Sequence, residues 1–289
     1  MGNLPAMEIF DSSFLKELSA LHAALLRLRG GAGEGVARAG RAAGQNEFRG
    51  HRPYSQGDDL RRLDWNAYGR LGKMFVREFE RERHEQITVL LDCSRSMAAG
   101  APPKHVFARH VAAALGFLAL KAEGSATLVP ATPVEGSTRV NKWLELLRAA
   151  EPAEEASLAS RIKAVAEQKR APSDLVVISD FLEPLEAIEP LAALGERRTN
   201  LTLVQVLSPD EISPAMAGGA DLRALEGGEE LRITLDASSL AAYRAELEGH
   251  LEAIEGLAAR HGWTYALAPS DTSLRALFTG KLALVGWAA

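Results

Sequence analysis

An unbroken run of five apolar or β-branched residues, Ile87 to Leu91, leads directly into Asp92, Ser94 and Ser96 in the segment ITVLLDCSRSM. Such a run suits a strand buried on both faces, the kind found inside a parallel sheet. D-x-S-x-S just beyond it delivers one carboxylate and two hydroxyls to the strand's carboxyl end, the edge at which open α/β sheets bind ligands. All three are hard oxygen donors, suited to Mg²⁺ or Mn²⁺ and poorly suited to zinc or copper. The same side chains also cap helices, because Asp and Ser oxygens accept from free backbone N–H groups. The residues alone leave both readings open, an oxygen-ligand site and a structural turn.

The chain around this junction alternates strand and helix. Strands are predicted at Ile87–Leu91, Ala126–Pro130, Leu175–Ser179, Leu201–Leu207 and Thr264–Leu267. Helices are predicted at Lys104–Lys121, Thr138–Ala149, Ala156–Lys169, Leu185–Glu196 and Ala237–Arg260. This alternation implies right-handed crossovers and an α/β fold, with a mostly parallel sheet flanked by helices. GGADLRALEGGEELRITL interrupts the rhythm and predicts an edge hairpin turning at Gly227-Gly228. An opening helix is predicted from Asp11 to Arg29, capped by Asp11 or Ser12, with Leu15, Leu18, Leu21, Leu25 and Leu28 as its apolar face. The Gly, Ala and Arg-rich stretch up to Gly50 reads as a loop, or as a basic segment for an acidic partner. Residues 1–84 are expected to form a helix and an ordered arm, and residues 85–289 the α/β domain.

Composition excludes several classes. With 33 basic against 38 acidic residues the net charge is −5, so nothing points to a nucleic-acid binder. The single cysteine, Cys93, rules out an intramolecular disulfide and a cysteine metal cluster. It is expected to be a buried inert thiol, since no histidine lies near it in sequence. His105 and His110 stand five apart and so do not share a helix face for metal binding. HVAAALGFLAL is too short to span a bilayer, and MGNLPAMEIF has no signal-peptide pattern, so a cytoplasmic location is expected.

Between Glu47 and Arg83 the sequence is dense in charge and aromatics. Lys73 to Glu80 alternates well enough for a strand, and the remainder reads as ordered loop with short helical turns. Asp58, Asp59, Arg61, Arg62, Asp64 and Trp65 crowd into eight residues. One reading is a latch in which arginines clamp carboxylates while Trp65 and Tyr68 pack on the domain. The other is a partner-binding surface anchored by Arg61, Asp64 and Trp65.

RPYSQGDDLRRLDWNAYGRLGKMFVREFERER followed by ITVLLDCSRSM resembles the bacterial family called domain of unknown function fifty-eight, a relative of von Willebrand factor type A domains. The match is close from about Gly35 to Met97. The junction itself is similar to the metal-ion-dependent adhesion site of type A domains. That resemblance implies a type A-like domain and a Mg²⁺ or Mn²⁺ cofactor held by Asp92, Ser94, Ser96 and Asp180, the last just after LVVIS. It also implies a threonine from a second loop, where this chain departs: EPAEEASLASRI offers Ala156 or Ser157. The resemblance further implies a non-enzymatic adaptor whose partner is a MoxR-type AAA+ ATPase, in assembly or chaperone-like work. Some members carry transmembrane helices ahead of the matched region, and this chain resembles the version without them. Two rivals use the same residues. One is a Mg²⁺-dependent phosphatase-like hydrolase with Asp92 as nucleophile, although Ser94 stands where such enzymes use a second aspartate. The other is a structural assembly protein whose metal site does not function.

Overall fold

The computed structural model describes residues 9–31, 47–54, 63–80, 86–130, 133–153, 157–168, 171–196, 199–214, 219–223, 230–234 and 237–282. The chain forms two compact units, one made of residues 1–32 and 85–289 and the other of residues 33–84.

In chain order the elements are α1 (Ser12–Gly31), β1 (Glu47–Pro53), α2 (Trp65–Leu71), β2 (Phe75–Glu80), β3 (Gln86–Leu91), α3 (Lys104–Lys121), β4 (Ser125–Leu128) and β5 (Val134–Glu135). They continue with α4 (Val140–Ala149), α5 (Leu158–Ala166), β6 (Asp174–Ser179), α6 (Ala192–Glu196), β7 (Asn200–Leu207), α7 (Pro209–Ile212), β8 (Gly219–Arg223), β9 (Glu230–Thr234), α8 (Ala237–His261), β10 (Thr264–Pro269) and α9 (Leu274–Thr279).

Among the described residues the main sheet has six strands in the order β10-β7-β6-β3-β4-β5. Every pairing is parallel except that of β5, a short antiparallel edge strand absent from the sequence expectation. Strand alternation divides the core in two. Val89, Leu91, Val176, Ile178, Val204 and Val206 face α1, α3, α4 and α9. Leu90, Leu175, Val177 and Leu203 face α5, α6 and α8. With both faces covered, each central strand needs apolar residues at successive positions, which is why these strands read as unbroken runs. The expected helix over Leu185–Glu196 is instead two short 3₁₀ turns, Leu185–Ala187 and Glu189–Leu191, running into α6. The expected hairpin exists as β8 and β9, but as a separate two-stranded sheet rather than an edge of the main one. Its turn lies outside the described residues, as do most of the Gly/Ala/Arg stretch and His84.

Helix α1 belongs to the first unit, with a buried face different from the one expected. Phe10, Phe14, Leu18, Leu21 and Leu25 are in the core, while Leu15 and Leu28 are exposed. Counting leucines alone missed Phe14, which sets the i, i+4, i+7, i+11 stripe. Asp11 is the cap, its Oδ1 accepting from the Phe14 N–H at 2.8 Å. His110 of α3 ties this corner down. Its Nε2 donates to the Ile9 carbonyl at 2.9 Å, and its ring stacks on Phe14 with centroids 4.3 Å apart.

Burial holds the His110 imidazole below its ordinary value of 6.5, against the opposing pull of the Ile9 carbonyl, Glu17 and Asp11. Burial lowers His105 likewise. A neutral buried histidine favours folding fully above the unfolded value, and this contribution is lost as pH falls through the lower folded value. The melting temperature is therefore expected to drop on going from about pH 7.5 to about pH 5. His110→Gln should remove part of that slope, and adding His105→Gln most of the rest. An unchanged slope in the double variant would refute this origin.

In the second unit β1 and β2 pair antiparallel, with a bulge between Phe48 and Gly50. Asp64 precedes α2, is buried, and accepts from the Ala67 N–H at 3.0 Å, which makes it a helix cap. Trp65 is 64% exposed and meets half-exposed Tyr68 edge-on at 6.3 Å. No helix among the described residues is long and apolar enough to cross a membrane.

Candidate functional site

The carboxyl ends of β3 and β6 meet at the centre of the sheet edge. The Asp92 N–H donates to the Ile178 carbonyl at 2.9 Å, continuing the ladder to the junction. There the chain turns into a 3₁₀ helix, Arg95–Ala98. Asp92 is 3% exposed. Its Oδ1 accepts from the Ser94 N–H at 2.8 Å and its Oδ2 from the Ser179 hydroxyl at 2.6 Å. Burial raises the Asp92 carboxyl above the usual carboxylate range, hydrogen bonds from Ser179 and Ser94 oppose that, and the nearby Asp180 charge adds to it. The Ser94 and Ser96 hydroxyls are hydrogen-bonded to each other at 3.0 Å. Ser94 makes no side-chain cap to the 3₁₀ helix, and α3 has Pro103 at its N-cap with no side-chain cap. The helix-capping explanation of the serines thus has no hydrogen bond behind it.

Asp180 follows β6 and is 2% exposed. Its Oδ1 accepts from the Leu182 N–H at 3.2 Å. Phe181 has φ of +51°, a left-handed conformation unusual for a bulky residue. It is held there by one partner within the turn and two from outside it. The Phe181 N–H donates to Ser179 Oγ at 2.9 Å, its carbonyl accepts from His250 Nε2 at 2.8 Å, and the Asp180 carbonyl accepts from Gln205 Nε2 at 2.8 Å. Strain of this kind persists only where surroundings over-determine it.

Lys104, the first residue of α3, is fully buried, and its Nζ lies 2.8 Å from Asp180 Oδ2. The same ammonium pairs with Glu211 Oε1. Glu211 is fixed by a capping box, its Oε2 accepting from the Ser208 N–H at 2.7 Å while Ser208 Oγ accepts from the Glu211 N–H. Sequence reasoning brought Asp92, Ser94, Ser96 and Asp180 to one edge and missed Ser179, Lys104, Gln205 and Glu211. Glu211 had a local signal, since S-P-D-E is a capping box. Lys104 had none.

The second loop contributes differently from the resemblance. Ser157 caps α5, accepting from the Ser160 N–H at 3.4 Å, and the Leu158 N–H donates to Glu183 Oε1 at 3.2 Å. Ala156 lies outside the described residues. Arg161 of α5 donates to the Leu91 carbonyl at 3.0 Å, and the Ala153 N–H to the Cys93 carbonyl at 2.8 Å. Cys93 is buried, and burial pushes its thiol up, so it is a poor nucleophile. Of the suggested partner-binding residues, Trp65 is exposed, Asp64 is engaged as a cap, and Arg61 lies outside the described residues together with Asp58, Asp59 and Arg62.

Whether the four expected ligands fit Mg²⁺ or Mn²⁺ is a question of donor chemistry. All four carboxylate oxygens of Asp92 and Asp180 already accept from protein donors. One of those donors is a buried ammonium. A divalent ion about 4 Å from that ammonium would be repelled by roughly 8 kcal/mol at an effective dielectric of 20. With that ammonium in place the donor set does not fit such an ion.

Comparison with known proteins gives the chain its relatives. The family described as "Protein of unknown function DUF58" matches residues 50–253. Uncharacterized proteins of Mycobacterium bovis and Mycobacterium tuberculosis are 30% identical over 216 residues, which is 68% of this chain and 68% of each of theirs. Among solved structures, the conserved hypothetical protein BatB from Bacteroides thetaiotaomicron superposes with a TM-score of 0.40 at 14% identity, over 68% of this chain and 97% of that one. An aerotolerance-related membrane protein from Bacteroides fragilis superposes with a TM-score of 0.39 at 14% identity, over 68% and 98%. The match in sequence takes in both the arm and the strand-end junction, and on it this chain belongs to the DUF58 family of proteins of unknown function.

Proposed function

We propose that this chain is a non-enzymatic protein-interaction module that docks its partner on the carboxyl edge of the main sheet. The partner is the MoxR-type AAA+ ATPase that the family resemblance implies, and the setting is assembly or chaperone-like work in the cytoplasm. The observation that carries the reading is the contrast at residues 180 and 182. Asp180 is sealed by hydrogen bonds, while Leu182, two residues on in the same pinned loop, is 49% exposed. An apolar side chain held outward on a rigid support loses little freedom on binding, as an interface anchor should. The buried groups also argue against turnover. Asp92, Cys93 and Lys104 are all at most 3% exposed, so none of these three stands open to a substrate.

The test is co-purification of the tagged chain with the purified ATPase from the same source, comparing wild type, Leu182→Asp and Trp65→Ala. Recovery is expected to fall about tenfold for Leu182→Asp and to stay unchanged for Trp65→Ala. Loss on Trp65→Ala alone would move the interface to the arm, and no recovery by the wild type would remove the proposed partner.

A further inference from the structure

We infer that Lys104 is the resident cation of the strand-edge site, its ammonium standing where a divalent ion would otherwise bridge the loops. The edge is then assembled, and able to dock a partner, without metal. This goes beyond the proposed function and holds whichever partner binds.

Four observations carry it. Asp180, which the resemblance names as a metal ligand, accepts at Oδ2 from Lys104 Nζ at 2.8 Å. Lys104 is 0% exposed, so this ammonium is not a surface charge that happens to swing past. A lysine on a flexible stem is normally solvated, and full burial requires compensating anions. Lys104 finds them on two loops, Asp180 after β6 and Glu211 in α7, 76 and 107 residues away in sequence. The ammonium therefore links the start of α3 to both loops, the bridging role a metal ion plays among ligands from separate loops. Finally, of the two residues that the second loop offers, Ala156 carries no side-chain oxygen and Ser157 is spent on capping α5. A site that has lost one ligand and neutralised another with lysine has exchanged an exchangeable cation for a covalently attached one.

The inference makes an unusual demand on a mutation. Removing the ammonium leaves Asp180 Oδ2 and Glu211 Oε1 facing one vacated cation position. That set of hard oxygen donors suits Mg²⁺ or Mn²⁺. The experiment is a titration of Mn²⁺ followed by the loss of its free-ion paramagnetic resonance signal, on the full chain. Wild type is expected to leave the signal undiminished, and its melting temperature should be the same in Mn²⁺ and in chelator. Lys104→Met is expected to take up about one Mn²⁺ per chain and to melt higher with Mn²⁺ than without. Lys104→Met combined with Asp180→Asn should do neither. Should Lys104→Met fail to fold in chelator, refolding with Mn²⁺ present reads the same quantity: recovery supports the assignment, and no recovery overturns it. Uptake of Mn²⁺ by the wild type, lost in Asp92→Ala, would overturn it directly. So would a folded Lys104→Met that takes up none.

Discussion

Lys104→Met is expected to destabilise the chain by about 3–5 kcal/mol in urea unfolding without divalent metal. The magnitude follows from what the substitution leaves behind. Methionine fills the lysine stem's volume, so little packing is lost. Asp180, 3% exposed at its side chain, keeps a charge with no cation against it. Glu211 is 25% exposed at its side chain and can turn toward solvent, so the larger share of the cost falls at Asp180. Breaking a buried pair by removing one partner is costly because the other stays desolvated, whereas removing both is often close to neutral. Lys104→Met with Asp180→Asn should accordingly recover most of the loss. The exposed pair Lys163–Glu167, 4.0 Å apart with side chains 73% and 68% exposed, supplies the contrast. Lys163→Ala should change stability by less than about 0.5 kcal/mol. Equal effects at Lys104 and Lys163 would mean that the ammonium is not buried in solution.

Gly116→Ala is the second large effect, and two forces of opposite sign meet there. Gly116 lies inside α3, where alanine would ordinarily stabilise the helix by about 1 kcal/mol. A Cβ at this position would, however, overlap the indole ring of Trp143 on α4. Trp143 is 0% exposed, and its Nε1 donates to the Ala112 carbonyl at 3.2 Å, so the ring has no slack. Displacing a buried tryptophan costs on the order of 3–5 kcal/mol. The steric term wins, and a net loss of about 2–4 kcal/mol is expected from urea unfolding. A variant as stable as wild type would show that α3 and α4 do not approach through this glycine.

The main sheet was legible in the sequence because each central strand is buried on both faces. Val89, Leu90 and Leu91 must all be apolar, whichever way each points. Edge and arm elements lack that constraint. β5 has two residues, and β1 carries a bulge at Phe48 to Gly50 that disrupts any alternation. In α1, the leucine repeat drew attention from Phe14, which with His110 fixes the helix. At the site, D-x-S-x-S and the aspartate after β6 could be placed together because parallel strands end at the same edge. Lys104 could not. A lysine at the start of a helix reads as solvated, and no spacing links residues 104, 180 and 211. The buried cation, which decides what the edge does chemically, comes only from the tertiary fold. Asp64 illustrates the converse. A carboxylate beside an exposed tryptophan suggests recognition, yet it is committed to the first turn of α2.

The central claim, that the carboxyl edge of the main sheet is the docking surface, is tested most directly by hydrogen exchange with mass spectrometry on the chain alone and with the MoxR-type ATPase. The result expected is protection confined to the loops after β3 and β6, Asp92 to Gly100 and Asp180 to Leu185, whether or not chelator is present in a nucleotide-free mixture. Protection centred instead on α2 around Trp65 and Tyr68, with both sheet-edge loops exchanging as in the free chain, would contradict it.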